Sequence, residues 1–400
     1  MKKVIAVFLA LLMTVSLFAC ATKDTGSSPS GSAAPSPSDT AGASASPSAE
    51  YPDLSKNADV LGLFSDGVDP ASRKTYNIVY MYPFTLLLFQ KMEECFNIYS
   101  SQLNYNKLTT STTEGDMDKF VENIQTFADQ GKADGFIVVV DADTSVRIKE
   151  VLDETNIPYV GFCNSVRDKT TGSEVMPAVG NDSKLASAKT VQWLYDNYKT
   201  YWGDIDPTQI ALLDTNASSN SDLKDRFTAA EAKFNELLPK NAGVFELDMI
   251  SDFSQDTAFN MASATFSAHP EVKYWFSANC VEMYAQGVAR AAETMGIDKR
   301  VLITDVGSDI LTSEWDTSYD GPWKSCLAIS NYLYAAPCIS ALIALMDGKA
   351  TPESLWPDMR TPGDQYTFYN AETTMVTKDT YKEYFNKYAQ LAGAPLPYPD

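Results

Sequence analysis

The feature that most constrains this chain is an alternation that runs through it twice: short apolar runs separated by amphipathic helical stretches. In the first series, residues 77–82, 107–112, 135–140 and 159–163 read as strands, with helices at 86–101, 117–130 and 145–155 between them. Runs such as Gly-Phe-Ile-Val-Val-Val at 135–140 lack the two-residue alternation of a strand with one wet face. They suit a parallel sheet covered on both sides. The pattern restarts after Asn181-Asp182, with helices at 185–198, 222–238, 257–268 and 283–295 and strands at 209–214, 244–250, 274–278 and 300–304. Two such series in tandem predict an α/β protein of two doubly wound, Rossmann-like lobes. Ligands of such lobes bind at the carboxyl ends of the strands, here in the cleft between them.

Ahead of this body, the Lys2-Lys3 pair, an apolar stretch over 4–17 and the run Leu17-Phe18-Ala19-Cys20 resemble a bacterial lipoprotein signal peptide. The resemblance implies removal of residues 1–19, acylation of the Cys20 thiol, and a lipid-anchored protein on the extracytoplasmic face of the cell membrane. A spanning helix needs about 20 apolar residues, and a Ser/Pro/Ala tract follows Cys20 in place of a basic stop-transfer sequence. Residues 20–50, with too little apolar surface to order them, read as a disordered tether with a span of roughly 30 Å. The 350 residues from 51 to 400 are enough for two lobes of ordinary size. With 31 basic against 52 acidic residues, the net charge is −21, which argues against nucleic acid as a partner and leaves a neutral ligand compatible.

Beyond Cys20 the cysteines are Cys95, Cys163, Cys280, Cys326 and Cys338, an odd number with no CxxC pair. Placed among apolar residues, all five are expected to be buried thiols rather than a disulfide framework or metal site. His269, the single histidine, offers no triad and no histidine zinc site. No enzymatic activity and no cofactor are therefore expected.

The body resembles the bacterial solute-binding proteins of the ribose- and galactose-binding type, the periplasmic binding proteins of type I, whose fold is shared by LacI-like ligand domains. The resemblance covers 76 to about 390. It rests on the order and spacing of Tyr82-Pro83-Phe84, Ala133-Asp134-Gly135-Phe136, Asn156-Ile157-Pro158-Tyr159-Val160, Val179-Gly180-Asn181-Asp182, Ser277-Ala278-Asn279 and Thr374-Met375-Val376-Thr377. It implies three crossings between lobes, near Asn181, after Asn331 and around 373–377, forming a three-stranded hinge. The N-terminal lobe would comprise 76–180 and 332–372, and the C-terminal lobe 182–331 and 373–400. Residues 51–75 are left as an N-terminal extension packed on the first lobe. The implied partners are a small sugar, the permease subunits of an ABC importer, and the membrane through the lipid anchor; the implied state is a monomer.

A pyranose has C–H faces that suit aromatic rings and hydroxyls that need partners once desolvated. Phe84 and Phe253 stand in loops after strands of different lobes and resemble the stacking aromatics of galactose-binding relatives, with Tyr82 beside the first; each is alternatively a core residue. Asn279 and Asn331 stand where the resemblance places ligand-binding amides, and Asp141 ends the third strand. Relatives carry Asp-Arg or Asn-Lys where this chain has Cys163-Asn164, so Arg167 is expected to supply the guanidinium. The relatives' aspartate after the 300–304 strand aligns most simply with Val306 or Gly307, so Asp305 or Asp309 is a candidate only if the loop shifts. Arg226 sits a few positions late for the relatives' binding arginine. The loop Gly203-Asp204-Ile205-Asp206-Pro207-Thr208-Gln209 keeps two carboxylates of a calcium pattern, but Pro207 and Lys273 depart from it, so no metal is expected. Two other readings remain open: a lipoprotein that presents a ligand to a sensor kinase or chemoreceptor, and a non-sugar ligand such as a nucleoside. A glycosidase would need two carboxylates at a fixed separation, and no pair stands out.

Overall fold

The computed structural model describes residues 61–64, 74–141, 145–250 and 252–399. The stretches read as a signal peptide and tether, Cys20, and most of the extension expected at 51–75 lie outside them. The strands are β1 (Ile78–Tyr82), β2 (Thr109–Thr112), β3 (Gly135–Val140), β4 (Tyr159–Cys163), β5 (Ala178–Gly180), β6 (Ile210–Asn216), β7 (Val244–Asp248), β8 (Tyr274–Asn279), β9 (Val301–Asp305), β10 (Ser325–Ala328), β11 (Phe368–Asn370) and β12 (Thr374–Thr377). The main helices are α1 (Leu87–Ile98), α2 (Met117–Asp129), α3 (Ser145–Thr155), α4 (Ser183–Trp202), α5 (Ser221–Leu237), α6 (Gln255–Ala268), α7 (Glu282–Thr294), α8 (Asp309–Asp316), α9 (Asn331–Met346) and α10 (Tyr381–Ala392).

Two sheets define two lobes. The first has the order β11-β5-β4-β3-β1-β2 and the second β7-β6-β8-β9, and all their pairings are parallel. β1 and β3 are buried along their whole length, as expected of strands covered by helices on both faces. β10 and β12 form an antiparallel pair, joined to the second sheet by the single bridges Ile303–Trp323 and Val306–Leu327.

The chain crosses between lobes in three adjacent segments. Around the first, Ala371 N–H donates to Gly180 O at 2.7 Å and Asp182 N–H to Asn370 Oδ1 at 2.8 Å. The Tyr334 hydroxyl, one turn into α9, donates to Asn181 Oδ1 at 2.7 Å in a fully buried setting. The pairing of β10 with β12 supplies the remaining two passages. These short connections make the two-lobed, three-stranded-hinge architecture predicted from the sequence.

Each lobe has its own core. In the first, the apolar helix α9 packs with α1 against the sheet, burying Leu342, Ile339 and Phe96 beside Ile137 and Val160. In the second, α6 and α7 approach so closely that a Cβ at Gly287 would stand 2.4 Å from Gln255 O and 2.8 Å from Ala258 Cβ. Only glycine permits that spacing, which Ala258, Ala262 and Ala291 then fill.

Residues 61–64 of the extension lie on the first lobe. Leu61 is fully buried in its core, and the Phe64 N–H donates to Ser340 Oγ at 2.8 Å while Ser340 Oγ donates to Ala336 O at 2.7 Å. Ser340 is a polar group inside an otherwise apolar helix, so its hydroxyl serves to tie down this segment. Ser340→Ala is expected to lower stability by about 1–3 kcal/mol, the cost of leaving a buried donor unmet. Urea titration of the variant against the parent chain measures it, and an unchanged midpoint would contradict the assignment.

Three local departures from the sequence reading bear on the site. β9 runs one residue further than expected and ends on Asp305, paired in register with Asn279. α4 starts at Ser183 and continues to Trp202 because Asp182 caps it, accepting from Leu185 N–H at 2.9 Å. β5 is only three residues long, too short for a periodic signal.

Candidate ligand-binding site

A cavity of about 340 Å³ lies between the lobes. Leu86, Leu87, Leu88, Phe162 and Cys163 come from the first lobe, and Arg226, Val281, Glu282, Met283 and the segment from Val306 to Ile310 from the second. Asn181, Leu327, Ile329, Asn331 and Tyr334 come from the hinge. Its position is the carboxyl end of both sheets, where open α/β sheets bind ligands.

Helix capping sets these ends apart. α2, α4, α5 and α6 are capped by Asp116, Asp182, Asn220 and Ser254, each accepting from a backbone N–H of the first turn. α1, α7, α8 and α9, whose first residues line the cavity, have no side-chain cap at their N-cap positions. For α8 the role passes to Glu282, whose Oε1 accepts from Ile310 N–H at 2.7 Å. Helix starts of this kind present backbone donors and a positive dipole end to whatever fills the space. At α1 the N-cap is Leu86, a residue type that costs about 1 kcal/mol there relative to Ser, Asp or Asn.

Among the described residues, one ion pair crosses the cleft. Lys91 of α1 meets Asp309 of α8, Nζ to Oδ1, at 2.6 Å. Arg226 of α5 is half-buried, donating from Nη1 to Cys280 O at 2.7 Å and from Nε to Ser183 Oγ at 3.4 Å. Beneath it, Asp305 is fully buried and accepts from Trp323 Nε1 at 2.8 Å, while its Oδ2 has no partner. Burial, reinforced by the charge of Glu282, holds the Asp305 carboxyl well above the usual carboxylate range.

Glu282 is raised as well, to about 8, first by burial and then by Asp309. Gly307 makes room for it: at φ +133°, a Cβ there would stand 2.4 Å from Glu282 Cγ. The folded protein thus keeps a proton that the unfolded chain sheds near pH 4.5. The resulting stabilisation is complete below that value and is lost as pH rises through about 8. Glu282→Gln is expected to remove on the order of 2 kcal/mol of this pH dependence, read from denaturant midpoints near pH 5 and pH 8. Parallel profiles for variant and parent would refute it.

Of the residues singled out in the sequence, Asn331 lines the cavity directly, at the first position of α9. Asn279 is buried at the end of β8; its Nδ2 donates to Ser277 Oγ and Thr304 O, both at 3.0 Å, and its Oδ1 has no partner. Asp305 stands beside it, fully buried and outside the cavity lining, whereas Asp309 lines the cavity. Phe84 and Phe253 are 44% and 45% exposed. Phe84 lies against Phe89, and Phe253 stacks on Tyr284 with centroids 6.1 Å apart; neither ring is in the cavity lining. Tyr82 is buried against Tyr80 and Phe89. Asp141 ends β3, its N–H donating to Ser145 Oγ at 2.9 Å. Asn164 ties the strand ends together by donating to Val140 O at 3.1 Å.

Arg167 departs from the expectation that it reaches the ligand. Its guanidinium is held by Glu174 at 2.9 Å and by Gly172 O at 2.7 Å in a surface hairpin, and it does not line the cavity. The guanidinium in the cavity lining is that of Arg226, in the second turn of α5, which begins at Ser221. Cys163 also departs from the reading of five buried thiols. It is half-buried, has φ +93° and lines the cavity, whereas Cys95, Cys280, Cys326 and Cys338 are buried and unpaired. In the 203–209 loop Asp206 caps a short turn, accepting from Thr208 N–H at 3.0 Å. Among the described residues no group of three or more His, Cys, Asp or Glu side chains is placed to hold a metal.

Comparison with known proteins places this geometry. No curated protein sequence matches the chain significantly. Among solved structures, a glucose-galactose binding protein from Geobacillus stearothermophilus shares 17% identity at a TM-score of 0.58, covering 77% of this chain and 99% of that one. An ABC transporter periplasmic solute binding protein from Actinobacillus succinogenes with bound D-allose gives 15% and 0.60, covering 78% and 100%. A periplasmic ribose ABC transporter protein from Conexibacter woesei gives 14% and 0.61, covering 80% and 96%. Identities this low show a shared fold. The periplasmic binding protein domain family matches residues 80–350, which is most of the two-lobed body, and the chain therefore belongs to the periplasmic binding proteins, with the type I architecture.

Proposed function

We propose that the protein is the sugar-capturing component of an ABC importer, held at the outer face of the cell membrane by lipid on Cys20. The observation that carries the reading is the inter-lobe cavity, lined from both lobes and the hinge and bounded by four helix N-termini without side-chain caps. Family membership and the fold shared with glucose-galactose, allose and ribose-type proteins support it. In this reading Asn331 and Arg226 meet ligand hydroxyls, the unpartnered Asn279 Oδ1 and Asp305 Oδ2 are further polar atoms at the adjoining ends of β8 and β9, and Phe84 and Phe253 are exposed aromatics available to a sugar face during closure. A ligand touching both lobes favours the closed state by its differential affinity, the permease recognises that state, and the protein works as a monomer without covalent chemistry.

The test is a thermal-shift screen of the full chain against pentoses, hexoses, polyols, nucleosides and amino acids. A ligand at a hundred times its dissociation constant adds about 2.7 kcal/mol. Stabilisation by a sugar supports the reading; a response confined to nucleosides or amino acids overturns the ligand class. Cys20→Ala is expected to release the protein from the membrane fraction, and its retention there would end the anchoring proposal.

A further inference from the structure

We infer that the ligand is a monosaccharide bearing one small apolar substituent, such as a deoxy methyl, O-methyl or S-methyl group, rather than a fully hydroxylated sugar; this rests on the sugar-binding reading above. The cavity's composition carries it. The first lobe contributes three consecutive leucines, Leu86 to Leu88, and the second faces them with Val281, Met283 and Ile310. Two of the leucines are left 38% and 52% exposed, so this wall is not buried by the protein itself.

The polar groups of the same cavity are few and mostly engaged. Asp309 is held by Lys91, Glu282 accepts from Ile310 N–H, and the Tyr334 hydroxyl donates to Asn181. Arg226, Asn331 and the unpartnered Asn181 Nδ2 remain for the ligand, with the helix N-termini. A sugar hydroxyl against the leucine side chains would lose water and find no side-chain partner there, whereas a methyl group removes apolar surface from solvent.

A second, independent observation is the N-cap of α1. That position favours Ser, Asp or Asn on helix grounds alone, and here it is Leu86, with no side-chain cap and no acidic residue in the first turn. The helix forgoes a local stabilisation, and the residue that replaces the cap is part of the cavity lining. At about 340 Å³, the space lies at the small end of ligand pockets, which run from roughly 300 to 1,000 Å³. It suits one ring and a small substituent rather than a disaccharide.

The experiment is calorimetric titration of the full chain with matched pairs: D-galactose and 6-deoxy-D-galactose, D-glucose and 6-deoxy-D-glucose, D-ribose and 5-deoxy-D-ribose, and each parent with its methyl glycoside. In at least one pair the substituted member is expected to bind about tenfold tighter or more, the usual worth of one methyl-sized group in an apolar pocket. Leu86→Asn is expected to keep or raise the melting temperature while reducing that preference to about threefold or less, and Leu87→Asn to reduce it likewise. Loss of preference together with a gained or kept melting temperature separates a ligand contact from a merely structural residue. Parents binding as tightly as their substituted partners would overturn the inference and leave sugar capture standing. A preference that survives both leucine variants would remove the wall from the explanation and overturn the assignment. No binding in any pair would sink the sugar-capture reading and this inference with it.

Discussion

Arg226→Ala is expected to weaken capture of the sugar found by the thermal-shift screen by two to three orders of magnitude, about 3–4 kcal/mol, which is within the range for truncating one partner of a buried charged hydrogen bond. Arg226 is the cavity's one guanidinium among the described lining residues, and its geometry is set before any ligand arrives. Cys280 O and Ser183 Oγ hold Nη1 and Nε, so the planar group is pre-organised and little entropy remains to be lost on binding. Arg226 also contributes the favourable charge near the buried Asp305, so the variant leaves that carboxyl still more strongly disposed to be neutral. Arg226→Lys is expected not to restore affinity, because an ammonium cannot reproduce the fork that meets two partners and a ligand at once. Calorimetric titration decides it: affinity within threefold of the parent chain would remove Arg226 from the site.

Phe162→Ala is expected to lower stability by about 3–5 kcal/mol, the range for deleting a buried aromatic whose surroundings cannot collapse. Phe162 is fully buried in β4, and its ring meets Tyr334 at 5.5 Å, Phe96 at 6.3 Å, Tyr80 at 6.4 Å and Phe89 at 6.5 Å, mostly edge-on. These partners come from β1, α1 and α9, so the ring joins the sheet to two of the helices that begin at the cleft. It also lines the cavity, and the variant is therefore expected to lose ligand affinity along with stability. Phe162→Leu, which keeps most of the volume, is expected to cost less than half as much. Guanidinium titrations of both variants check the ordering, and an alanine variant as stable as the leucine one would refute the packing argument.

The architecture was legible because it is encoded locally. Uninterrupted apolar runs at β3 and β4 and amphipathic stretches at α2 and α5 repeat at short spacing, and such signals need no knowledge of distant residues. The cavity was legible in part where a residue starts a helix, as Asn331 does; Asn279 and Asp305 end strands beside it without lining it. Side-chain direction was not legible. Arg167 lies three residues from the expected position, yet a hairpin turn hands it to Glu174 and away from the cleft. The leucines at 86–88 read as the start of an ordinary amphipathic helix; the signal that could have marked them is the missing cap residue before α1.

The sequence by itself determined the α/β class, the tandem repetition, and the strand ends at which the inter-lobe cavity opens. These follow from periodicity and composition, which are properties of neighbouring residues. Only the tertiary structure decided that Arg226 supplies the cavity's guanidinium, that Lys91 and Asp309 meet across the cleft, and that the ligand space is walled by leucines rather than by Phe84 and Phe253. The physical reason is that each depends on how residues far apart in the chain, on two lobes joined by three short hinge segments, are brought together by the rotation of those lobes. No local preference records that rotation.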